Sequence, residues 1–119
     1  MKIKDYKDLD IWKKGVEIAD KVYDITEKFP NKEMYGISVQ LRRSAVSISS
    51  NVAEGFARQY AKEYKQFLFI ALGSCAELET QLIISEKRKY LSGEELIALR
   101  GEIDHESKML MSLIKKLKY

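Results

Sequence analysis

The residues of this chain best suited to specific chemistry form one polar run at helical spacing. Gln40, Arg43, Ser47, Asn51, Glu54 and Arg58 recur every three or four positions, so on a helix they share a face. A merely solvated face carries flexible Lys and Glu. This one carries Arg, Ser, Asn, Glu and Gln, which make fixed hydrogen bonds and suit a face that meets something specific. Reflection across a hairpin turning near Tyr60 puts Glu77 opposite Arg43. A guanidinium can hold a carboxylate by two parallel hydrogen bonds. The spacing therefore predicts that Arg43 or Arg42 pairs with Glu77. It favours a structural polar network of Gln40, Arg43, Ser47, Asn51, Glu54, Arg58 and Glu77 over a functional pocket or separate surface residues. Whether that network is internal or lies between subunits stays open.

No reaction can be read from these residues. Glu77 and Glu79 stand two apart and point to different faces of a helix. Glu102 and His105 have the Glu-x-x-His spacing of a dinuclear site in a helical bundle, but His105 is the one histidine and half a site is all they could supply. Cys75, the single cysteine, has small neighbours and reads as a packed core thiol. There is no glycine-rich phosphate loop. We expect no catalytic residues, no metal, no cofactor and no enzyme.

Basic residues cluster instead. Lys13 and Lys14, Arg42, Arg58 with Lys62 and Lys65, and Lys87-Arg88-Lys89 are the candidates for nucleic-acid contact, with Tyr60, Tyr64 and Tyr90 beside some of them. Cations next to aromatics can hold phosphates and stack on unpaired bases. The net charge of +3, from 21 basic and 18 acidic residues, permits a local patch and excludes the large excess of a histone-like protein.

Helices must position all of these groups. The 119 residues suit a single domain, 1–119, rich in helix formers and with one Pro. Helices are expected at about 8–29, 32–58, 61–89 and 93–117. Asp8 and Asn31 read as N-caps, Pro30 as the first break, and Ser92 with Glu95 as a capping box. Short connections make this an all-α fold, an antiparallel up-down-up-down four-helix bundle. The first helix carries two apolar seams. One is Leu9, Trp12, Val16, Ala19, Tyr23 and Thr26; the other is Ile11, Ile18, Val22, Ile25 and Phe29. Four apolar positions in seven exceed what one bundle core needs. The excess fits a helix sunk between two others of its own bundle, the favoured reading, or else an added subunit interface, for which Ile11, Ile18, Val22 and Ile25 are the candidates. With no apolar leader after Met1 and no long apolar run, the chain reads as cytoplasmic, with no membrane partner.

Three ordered stretches resemble a known family. They are Leu9 and Trp12 with Phe29-Pro30, Glu33 and Tyr35-Gly36; Gln40-Leu41-Arg42-Arg43, Ser47-Ile48, Asn51 and Ala53-Glu54-Gly55 with Arg58; and Gly73-Ser74 with Glu77-Leu78-Glu79-Thr80-Gln81-Leu82. Across residues 8 to 117 the chain resembles the bacterial four-helix-bundle proteins encoded in intervening sequences of 23S ribosomal RNA genes. Ser49 departs from the pattern, which usually has Pro there. The resemblance implies an antiparallel bundle with relatives that form pentameric rings. The chain also looks similar to the accessory variability determinant of diversity-generating retroelements, a ring-forming bundle that binds nucleic acid and reverse transcriptase. The expected function is a non-enzymatic, ring-forming homo-oligomer, a pentamer by resemblance. It would bind nucleic acid, RNA rather than DNA, through basic helix ends without sequence readout. The alternative is a scaffold or accessory protein for a protein partner such as a reverse transcriptase, with no direct nucleic-acid contact.

Overall fold

A computed structural model describes residues 3–117. Four helices, α1 (Asp10–Thr26), α2 (Ile37–Phe56), α3 (Ala61–Lys87) and α4 (Gly93–Lys116), make up the fold, with short 3₁₀ turns at Tyr6–Asp8 and Asn31–Glu33. Each helix packs on its chain neighbours, α4 closes on α1, and the diagonal pairs stay apart. Neighbours run antiparallel. Ser47 meets Ser74 while Ser44 meets Gln81, and Lys14 meets Glu102 while Lys28 meets Glu95, so one number falls as its partner's rises. The bundle is a rod of 45 × 24 × 21 Å.

Two of the expected helix starts move inward. Asp8 does not cap α1; it ends a 3₁₀ turn whose own cap is Asp5, the acceptor for the Lys7 amide at 2.9 Å. Asn31 opens another 3₁₀ turn, and α2 starts only at Ile37. Gly36 just before it has φ −108° and ψ −118°, which breaks any helix begun at Lys32. The capping box at Ser92 and Glu95 forms as expected.

The core is aliphatic. Leu41, Ala45, Ile48 and Val52 of α2 are sealed against Ile18 and Val22 of α1 and Leu68, Ala71, Leu78 and Leu82 of α3. This overturns one expectation. Ile11, Ile18 and Val22 are not an outward interface but the inward face of α1, and Ile25 is half-buried. Val16 and Tyr23, from the other seam, are 41% and 42% exposed. Gly15 decides which seam faces in. A Cβ there would stand 3.2 Å from Ser49 Cβ, so α1 and α2 touch backbone to backbone on that side. The same contact holds the serine-rich centre of α2 helical despite poor intrinsic propensity.

Gly55 sets the α2–α3 crossing still more tightly. A Cβ would lie 2.8 Å from Phe67 Cβ and 3.2 Å from the Tyr64 carbonyl oxygen. Those atoms are too near the backbone to swing away. Gly55→Ala gains about 1 kcal/mol of helix propensity but overpacks the crossing, so it is expected to destabilise the fold by about 1–2 kcal/mol net. Urea unfolding checks this, and an unchanged or raised midpoint would refute the close crossing.

At the opposite end, the Tyr90 hydroxyl donates to Glu33 Oε2 at 2.8 Å, and the Tyr90 ring packs on Phe29 with centroids 5.4 Å apart. Glu33 Oε1 accepts the Ile37 amide at 3.4 Å. These bonds, that from Tyr90 first, hold the Glu33 carboxyl below its usual range.

Two features of the core are unusual. Glu106 stands on the inner seam of α4 between Ile103 and Leu110 and is fully buried, and neither carboxylate oxygen has a hydrogen-bond partner. Burial raises its pKa to about 8, against a small pull from Lys14. Cys75 is likewise buried, and mainly for that reason its thiol is pushed up to about 12, far from the reactive thiolate range. The second feature is α3. By length and composition it is apolar enough to cross a membrane, with mean hydropathy 1.6 over its most apolar window, of which 39% is buried. The expectation of no long apolar run is thereby corrected: α3 is apolar on the side facing solvent as well as on the side facing the core.

Candidate functional site

The polar stripe of α2 divides. At its middle, Asn51 Nδ2 donates to the Ser47 carbonyl at 2.8 Å and to Ser47 Oγ at 2.9 Å, and Ser47 Oγ lies 2.8 Å from Ser74 Oγ on α3. Buried Ser44 donates to buried Gln81 Oε1 at 2.9 Å. These short side chains fasten α2 to α3. The ends of the stripe do not join them. Gln40 and Arg43 are exposed, and Glu54 pairs only with exposed Arg58, one turn along α2 at 3.2 Å. The expected pairing of Arg43 or Arg42 with Glu77 is not formed. Arg43 and Glu77 face each other across an open trough also lined by Gln40, Ser47 and Gln81, and among the described residues neither makes an ion pair. Reflection across the turn finds the right level on α3 but not the right face. The side chains between the helices are Ser74 and Gln81, a heptad apart, and both point at the smaller residues of α2.

Arg42 turns to the other side. Its Nε donates to Thr26 Oγ1 at 2.8 Å, and its guanidinium stands 4.7 Å from the centre of the Tyr23 ring. Tyr23, Val39, Arg42, Arg43 and Val46 line an open, mostly apolar groove of about 450 Å³ between α1 and α2. Beyond the trough, α3 presents an unpartnered face. Phe69, Ile70 and Ile84 are 48%, 50% and 48% exposed, and Gly73, Ala76, Glu77 and Thr80 lie among them at helical spacing. A Cβ on Gly73 would meet nothing within 4 Å. The small residues at mid-α3 divide between two faces. Ser74 and Cys75 do face in, whereas Gly73 faces out.

The basic candidates fall at opposite ends of the rod. Lys13, Arg58, Lys62 and Lys65 lie toward the end where α2 turns into α3, and Lys87, Arg88 and Lys89 lie at the other. Lys13 and Lys62 are exposed, and Lys65 is half-buried. Arg58 sits over the Phe67 ring at 4.7 Å. Lys14 is committed elsewhere, with its ammonium 3.0 Å from Glu102 and 3.5 Å from Glu17. The bond to Glu102 chiefly raises its pKa. Lys21 reaches the same Glu102 at 2.7 Å. Burial pushes the Glu102 carboxyl up, but the bonds from Lys21 and Lys14 outweigh it and hold the group low. That places Glu102 in an α1–α4 ion-pair cluster, and no group of three potential metal ligands occurs among the described residues.

The triplet at the end of α3 is exposed and makes no ion pair among the described residues. Lys89 adopts φ 66°, the left-handed conformation that closes many helices and favours glycine. Beside it the Tyr90 amide reaches back to the Ser85 carbonyl at 2.9 Å.

Comparison with known proteins agrees with this architecture. The family described as 23S rRNA-intervening sequence protein matches residues 7–112. A crystal structure of a protein of unknown function, from the S23 ribosomal protein family of Bacteroides thetaiotaomicron, superposes with a TM-score of 0.79 at 25% identity. The superposition covers 88% of this chain and 98% of that one. No curated protein matches.

Proposed function

The chain belongs to the 23S rRNA-intervening sequence protein family, and from that premise we propose a non-enzymatic protein that assembles with its own copies into a ring. The ring holds nucleic acid, RNA in preference, on its basic helix ends without reading sequence. The exposed face of α3 carries the assembly. An exposed face that carries Phe69, Ile70 and Ile84 suits a partner, and a solvent-exposed mid-helix glycine lowers helix stability by about 1 kcal/mol unless a close neighbour uses the space. The α1–α2 groove is the complementary surface. Glu77 rims the α3 face, Arg43 rims the groove, and neither has an ion-pair partner in its own chain among the described residues. The two patches differ, so the contact runs head to tail, and such contacts close into rings when the rotation permits. Five copies is the count that the resemblance implies.

A ring repeats each basic cluster around a rim, and the exposed triplet Lys87-Arg88-Lys89 supplies the phosphate contacts. A lysine held where glycine would be less strained supports a use for its side chain. Lys89→Gly is therefore expected to stabilise the fold by about 1 kcal/mol and yet weaken RNA binding. Titration of a labelled structured RNA over a salt series, alongside thermal melts, tests this. Affinity should fall steeply with salt, and changing Lys87, Arg88 and Lys89 to Glu should flatten the logarithmic slope by roughly 2–3. The alternative, a scaffold for a protein partner such as a reverse transcriptase, predicts no RNA binding at physiological salt.

A further inference from the structure

The start of α2 is a helix N-terminus at which the Glu33 carboxylate takes one amide, that of Ile37. No side chain caps it at Gly36. Beyond it, the Ser38 and Val39 amides find no acceptor among the described residues. An α-helix leaves its first amides unbonded with a partial positive charge, a ready partner for an anion. A cavity of about 240 Å³ opens here between the α1–α2 turn and the first turns of α2. Ser38 lines it. It is only 4% exposed, and its hydroxyl, which makes no hydrogen bond among the described residues, keeps its accessible surface. An unbonded hydroxyl on the wall of an open cavity, in a residue otherwise enclosed, is placed to take a ligand atom.

Arg42 lines the same cavity one helical turn further on. Its Nε is held by Thr26 and its plane by Tyr23, which leaves the two Nη groups as fixed, unpartnered donors. Asn31 adds an amide at the mouth. The single carboxylate among the lining residues is Glu27, which is exposed and can turn to solvent. The cavity wall thus offers a guanidinium, a hydroxyl and a side-chain amide beside a helix N-terminus, a set that suits a tetrahedral oxyanion. The volume is below the usual 300–1,000 Å³ of pockets that enclose a whole small molecule.

We infer that this cavity binds one phosphate group, either as the free ion or as the terminal monoester of a longer molecule. The inference does not need the RNA reading, which rests on the α3 triplet. An amide NMR titration with inorganic phosphate at constant ionic strength tests it. Saturating shifts are expected at the Ser38 and Val39 amides and at Arg42 Nε, with acetate much weaker. Ser38→Ala, a substitution the first helical turn accepts, should weaken binding roughly tenfold, and Arg42→Gln at least as much. A 5′-phosphorylated oligonucleotide that moves the same signals, when its dephosphorylated form does not, identifies the monoester as the source. If both oligonucleotides leave these signals in place while phosphate saturates them, the free ion is the ligand. Absence of saturation with phosphate, or saturation unchanged in Ser38→Ala, would overturn the inference.

Discussion

At pH 7, Glu106→Leu is expected to raise the unfolding free energy by about 3 kcal/mol. The native carboxyl is neutral up to about pH 8, whereas in the unfolded chain it ionises near 4.5. Between those values the unfolded state gains stability at about 1.4 kcal/mol per pH unit. A carboxyl raised in the fold gives its stability in full below the unfolded value and loses it as pH rises toward the native one. The wild type should therefore weaken progressively from pH 4.5, flattening above pH 8, while the leucine variant shows no such slope. Leucine also fits the position, since Ile103 and Leu110 flank it on the same seam. Glu106→Gln should remove the slope but keep part of the penalty, because a buried amide would also lack partners. Chemical denaturation of the three proteins at pH 5, 7 and 8.5 checks this. Parallel profiles for wild type and Glu106→Leu would mean that the carboxyl is hydrated or paired. Among the described residues no hydrogen bond reaches this carboxyl.

Much of the fold was legible because its signals are local and redundant. Leu41, Ala45, Ile48 and Val52 mark the core face of α2, and the Ser92–Glu95 box marks where α4 begins. The two seams of α1 were visible but not their order, since both are apolar. The deciding residue was Gly15, whose missing Cβ sets the depth of the α2 contact. The α2–α3 fastening was placed at the right helix pair, and Ser47 and Asn51 of the expected network take part in it, but the expected pairing with Glu77 does not form. Long Arg and Glu suggested it, yet a close crossing leaves room only for Ser44, Ser47, Ser74 and Gln81. Ser38 was missed altogether, because a buried serine without a partner has no pattern in sequence. The outer face of α3 gave a signal that was overlooked: Phe69, Ile70 and Ile84 fall outside the core stripe of Ala71, Leu78 and Leu82.

That face gives the second large effect. Gly73→Arg should abolish assembly and leave the single chain as stable as before or more so. Nothing lies within 4 Å of an added Cβ inside the protomer, the position is exposed, and arginine favours helix over glycine by about 1 kcal/mol. Between copies it places an unpaired charge in a packed contact, a penalty of several kcal/mol, or more than a hundredfold in affinity. The rim charges refine the test. Arg43→Glu and Glu77→Arg should each weaken assembly, and the double exchange should restore it, because a head-to-tail contact sets position 43 of one copy against position 77 of the next. A double variant no better assembled than the single ones would remove that pairing. Loss of thermal stability in Gly73→Arg would instead show that the face is needed within one chain.

The most direct measurement is the mass of the wild-type protein in solution at micromolar concentration, by light scattering or native mass spectrometry. Assembly through α3 predicts a discrete multiple of 13.8 kDa that falls to the single-chain mass in Gly73→Arg. A wild type that stays at 13.8 kDa across that range would contradict it.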